Sequence, residues 1–134
     1  MGNISPQLTI KMDYSSTGTT TGNFSINVND ELTTAIPNTS LSTITVTTTG
    51  ADSIIVPNVD SCKYVYIKHK GINSAGSTSG TDKIRVETAD GTQIAELQAG
   101  EFMFFPYYGG GACKLQLETS ANTCQAEYGY WTRG

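Results

Sequence analysis

The segment Lys63-Tyr-Val-Tyr-Ile-Lys-His-Lys70 alternates residue by residue. A period of two belongs to a strand with one face on a core. Val65 and Ile67 share one face, with His69 in phase; Tyr64, Tyr66 and Lys68 share the other. The same alternation recurs along the chain. Leu8, Ile10, Met12 and Tyr14 fall in step, as do Phe24, Ile26 and Val28, which should point inward. Ile44 and Val46 lie inward in a Thr-rich run over 40–49, and Ser53 to Val56 forms a short apolar strand. Lys114 to Thr119 alternates, and Cys124, Ala126, Tyr128 and Tyr130 share a face of the last strand.

Turn signals separate these runs. Asp90-Gly91 predicts a two-residue hairpin with Ile84 opposite Leu97 and Val86 opposite Ala95. A second hairpin turn is expected near Ser120-Ala121-Asn122, and Gly71 to Thr81 reads as a long polar loop. Asp30 to Ile36 is the one candidate helical turn, capped by Asp30 and ended by Pro37. Thr, Ser, Gly and Asn fill 54 of 134 positions, and all four are poor helix formers. The sequence therefore predicts an all-β fold. The expected architecture is an antiparallel, jelly-roll-like β-sandwich of eight or nine short strands, with at most one helical turn. Residues 1–7 read as an arm, and residues 8–134 as a single domain.

Charge and composition narrow the function. Eight basic against twelve acidic residues disfavour nucleic acid, because neutralising phosphate needs a basic surface. No apolar run approaches the roughly 18 residues of a membrane span. The start, Met1 to Pro6, carries neither the basic nor the apolar part of a secretory signal. Three cysteines, Cys62, Cys113 and Cys124, are an odd number and are read as reduced thiols.

Catalytic chemistry finds little material. His69 is the sole histidine, set on a strand between two lysines. A general base needs an orienting group and a nucleophile beside it, and no spacing supplies them. The run Gly109-Gly-Gly-Ala-Cys-Lys114 lacks the ending of a phosphate loop, and no calcium-loop spacing occurs. The expectation is a non-enzymatic chain with no cofactor and no metal.

Eight of the twelve aromatic residues fall in the last 33 positions. Tyr and Trp bury large area at small entropic cost, so they suit contact surfaces. Phe105, Tyr107, Tyr108 and Trp131 are the interface candidates there, with Ile4 and Pro6 on the arm. A sugar-stacking platform would use the same aromatic residues. The 27 Leu, Ile, Val and Phe residues are few for two sheets, and a homo-oligomer would bury more apolar area.

The second half carries a resemblance. Tyr64 to Lys70, Lys83-Ile-Arg-Val-Glu87, then Ile94 to Pro106 with the turn Leu97-Gln-Ala-Gly-Glu101, then Leu115 to Thr119 and Ala126-Glu-Tyr128 follow in order. Over roughly residues 60–131 this resembles small β-sandwich structural proteins of tailed bacteriophages. The resemblance implies a virion protein assembled in the bacterial cytoplasm. It implies a capsid decoration (cement) protein, favoured as a trimer, that binds the major capsid protein or other virion proteins. A neck, tail or fibre component is the first alternative, and a carbohydrate-binding jelly-roll module the second.

Overall fold

The computed structural model describes residues 2–15, 21–36, 41–57, 63–78, 80–108 and 114–133. Twelve strands occur among them: β1 (Gly2–Ile4), β2 (Gln7–Ser15), β3 (Thr21–Asn29), β4 (Leu32–Ile36), β5 (Ser42–Val46), β6 (Ile54–Val56), β7 (Lys63–Asn73), β8 (Ile84–Thr88), β9 (Gln93–Leu97), β10 (Phe102–Tyr107), β11 (Leu115–Thr119) and β12 (Cys124–Arg133). One 3₁₀ turn, Gly50–Asp52, follows β5. The chain is all-β, and every strand pairing is antiparallel.

Three sheets result. Six strands run β1-β4-β12-β7-β10, with β5 also on β12; four run β6-β11-β8-β9; β2 and β3 form the third. β12 organises the largest sheet. One of its edges takes β7, and the other is shared by β5 near Cys124 to Tyr128 and β4 near Thr132 and Arg133. One hydrophobic cluster draws on both larger sheets. Val46, Val65, Ile67 and Ala126 come from the six-stranded sheet, and Ile84, Val86, Leu115 and Leu117 from the four-stranded one.

Several expectations hold in detail. Val65, Ile67 and His69 are buried on one face of β7. Ile84 pairs with Leu97 and Val86 with Ala95. The Leu97–Glu101 turn closes with Glu101 N–H donating to Gln98 O at 3.0 Å. Gly100 there takes φ 86°, which favours glycine.

Others are corrected. The strand number is twelve among the described residues, against eight or nine expected. The segment expected as a helical turn is the strand β4. It bridges β1 and β12, and β-branched Thr33 and Thr34 suit that role. Asp30 Oδ1 accepts from Glu31 N–H at 2.8 Å, an interaction local to the bend. The Asp90-Gly91 loop holds three residues, 89–91. Gly91 N–H donates to Thr88 O at 2.9 Å, and Gly91 takes φ 83°. A register shift follows at Glu87, as such bulged loops require. The Asp90 carboxylate fastens the loop by accepting from the Thr88 hydroxyl and, at 3.2 Å, from Thr92 N–H. β11 and β12 do not form a hairpin. Both edges of β11 are taken by β6 and β8, and both edges of β12 by its own neighbours. Ser120 to Thr123 therefore carries the chain from one sheet to the other. Cys124 is buried, its Sγ donating to Asn122 O at 3.7 Å; Cys62 and Cys113 lie outside the described residues.

The N-terminal strands form one hairpin in two parts. Ile4 pairs with Leu32 and Gln7 with Asn29, and these two pairs belong to a single register. Pro6, which has no N–H, interrupts the ladder, and Asp30 N–H donates to its carbonyl at 3.4 Å. Residues 2–4, expected within an arm, are thus an edge strand of the six-stranded sheet.

Candidate functional site

The outer face of the six-stranded sheet carries an aromatic surface. Alternation places it there. Val65 and Ile67 turn to the core, so Tyr64 and Tyr66 fall on the opposite face of β7, where Tyr64 is covered and Tyr66 half-buried. Register then brings Phe104 opposite Tyr66, and Trp131 opposite Tyr64. The Tyr64 and Phe104 rings stack, with centroids 6.2 Å apart and an interplanar angle of 15°. Phe104 and Trp131 meet at 6.4 Å with a tilt of 54°. Arg133 Cζ stands 5.8 Å from the Tyr64 ring centroid, within reach of a cation–π attraction.

Two grooves follow from this surface. The first, about 390 Å³, is lined by Ile4, Ser5, Pro6, Leu41, Tyr66, Phe104 and Trp131. Its lining side chains carry no charge. The one phenol, Tyr66, donates to Glu127 Oε1 at 3.1 Å. Burial, and then that bond and the Glu127 charge, push the Tyr66 hydroxyl above its usual pKa, so it stays a neutral donor. Gly129 makes the floor possible, because it is paired opposite Tyr66 and leaves room for Leu41 and Trp131 to close over it. The second groove, about 710 Å³, continues along β10 to the root of the β2–β3 hairpin and is lined in part by Leu8, Val28, Phe102 and Phe104. Phe102 is 58% exposed. This apolar surface invites contact with another apolar surface.

Of the interface candidates, Ile4, Pro6 and Trp131 meet in the first groove. Phe105 and Tyr107 point the other way and pack against the core, because the alternation of β10 turns Met103, Phe105 and Tyr107 inward. Their rings meet edge-on at 6.1 Å. Tyr108, just past β10, is 65% exposed and lines neither groove. Sequence reasoning missed Tyr66, Phe102 and Phe104 as surface residues. The signal was present: the outward phase of β7 already contained both tyrosines, and the apolar run of β10 hides its own two faces.

Comparison with protein families, curated proteins and solved structures gives no match to this chain.

His69 has a structural place. It is fully buried, its Nδ1 accepts from Gly71 N–H at 2.9 Å, and its Nε2 lies 3.0 Å from Asp82 O. An acceptor at Nδ1 leaves the proton on Nε2, so the ring is neutral and both nitrogens are engaged by backbone. It ties β7 to the start of β8 across the intervening loop. Among the described residues no cluster of His, Cys, Asp and Glu is arranged to hold a metal ion.

Proposed function

We propose that this protein is a non-enzymatic structural component of a phage virion, and that it acts as a capsid decoration protein. The observation that carries the reading is the charge-free groove formed by Tyr66, Phe104 and Trp131 with Ile4, Pro6 and Leu41. Such a groove binds by apolar burial and shape, as adhesion to a lattice of protein subunits needs. The occupant is an apolar loop or strand of the major capsid protein or of another virion protein. The resemblance of residues 60–131 to phage structural proteins points the same way. We read the six- and four-stranded sheets as the two layers of a jelly-roll-like sandwich, since one core draws on both. The protein acts as a homo-oligomer, with a trimer favoured.

A neck, tail or fibre component would use the same surface. A carbohydrate-binding module fits it less well. Sugar platforms pair an aromatic face with free hydrogen-bonding groups, whereas here the Tyr66 hydroxyl is already committed to Glu127.

The test is electron microscopy of purified virions with antibody against this chain. Label over the whole shell supports decoration. Label confined to one vertex or the tail moves the protein to a neck or tail role. Particles without label overturn the virion reading. Quenching or shift of Trp131 fluorescence on adding oligosaccharides would then favour the sugar module.

A further inference from the structure

The hairpin of β2 and β3 is strongly two-faced. Register sets Leu8 opposite Val28 and Ile10 opposite Ile26. These four make one aliphatic strip, and each is 41–50% exposed. The reverse face is polar, with Thr9 Oγ1 donating to Asn27 Oδ1 at 2.9 Å and Lys11 beside them. The strip begins inside the molecule's own aromatic surface and runs out of it. Leu8 and Val28 line the larger groove with Phe102 and Phe104; Ile10 and Ile26 lie beyond that lining.

A two-stranded ribbon standing in water is marginal at best and needs a further layer on its apolar face. The area identifies what supplies it. Four aliphatic side chains, each 41–50% exposed, present roughly 300 Å². Phe102 and Phe104 continue the surface at its root. Together they expose about 500 Å² per copy, so two copies bury about the 1,000 Å² in total that a specific interface must clear. The strip carries no charge to select a charged partner, and a flat aliphatic strip is its own complement. A foreign partner would leave it open until encounter, whereas a second copy is present as the chain folds.

We propose that the ribbon is a self-association arm. The strip of Leu8, Ile10, Ile26 and Val28 packs face to face on the same strip of a second copy of this chain, and Phe102 and Phe104 extend the contact. This rests on the reading of the protein as an assembly module; the contact is two-fold and makes a pair of chains, in place of the trimer favoured above.

The experiment is light scattering on the purified full chain at micromolar concentration. The wild type should weigh a multiple of 14.3 kDa. The double variant Ile10→Thr, Ile26→Thr keeps β-branched residues and should weigh one chain, at least a twofold fall, with its far-UV spectrum unchanged. Lys11→Ser, on the reverse face, should keep the wild-type mass. A monomeric wild type, or an oligomeric double variant, overturns the proposal. If the double variant precipitates, a photo-crosslinker at Ile10 in mixed light and heavy isotope chains decides. Light–heavy cross-links between ribbon peptides support it, and cross-links confined to one chain overturn it. A monomer that still labels virions sinks only the arm; a monomer that labels none sinks the assembly reading as well.

Discussion

Gly129 and Leu41 approach so closely that a Cβ on the glycine would stand 2.9 Å from Leu41 Cδ2. The same atom would lie 3.3 Å from the Trp131 ring. The missing side chain is what lets the aromatic groove close on the surface of β12. Gly129→Ala should push Leu41 aside, because the tip of a flexible side chain yields before backbone does. The expected cost is about 1 kcal/mol. Trp131 emission should shift to the red while the far-UV spectrum stays the same, and an unchanged emission maximum would show that Leu41 does not cover the ring.

His69→Phe removes an acceptor from Gly71 N–H and a donor from Asp82 O, both inside the fold. Leaving two half-buried backbone groups without partners should cost on the order of 2 kcal/mol. The urea midpoint reads the loss. Amide exchange should rise first at Gly71, where the bond is cut.

Leu117 is fully buried where the four-stranded sheet meets the common core. Leu117→Ala should destabilise by about 2–5 kcal/mol through lost contact and a residual cavity. A drop well under that range in chemical denaturation would mean the two sheets collapse easily onto each other.

Asp90 is held below its ordinary carboxylate range by hydrogen bonds from Thr88 and Thr92. Its folded pKa lies under the unfolded value, so its contribution is complete above the ordinary range. It is lost as pH falls through the lowered value. Between those points the unfolded chain binds more protons, and stability must fall with acid. Asp90→Asn should flatten that part of the acid limb in a series of thermal melts. An unaltered limb would place the acid sensitivity elsewhere.

The faces of strands were legible in the sequence because period two is local. Val65 and Ile67 fall on one face, and Tyr64 and Tyr66 on the other, whatever β7 pairs with. The pairing of Ile84 with Leu97 was also legible, since a short loop ties the two strands together. The site was legible only in part. Ile4, Pro6 and Trp131 were picked out one by one, yet no local signal brings Ile4 to Trp131 across 127 positions of chain. Phe105 and Tyr107 were chosen for aromatic character, and the phase of β10 placed them on the core side.

What the sequence determined by itself was the all-β class, the phase of its best strands and the alternation of residues 8–14 and 23–29. Beyond the β8–β9 hairpin, tertiary structure decided which strand met which, and which apolar face was covered. β11 and β12 are neighbours in sequence but lie in different sheets, because each already has both edges filled. Leu32 to Ile36 became a strand because β1 and β12 offered it hydrogen-bonded edges on both sides. Alternation says that Leu8, Ile10, Ile26 and Val28 share a face. The expected inward orientation of Ile26 and Val28 fails, because burial depends on what the rest of the chain can bring to a face, and here the chain leaves that strip exposed.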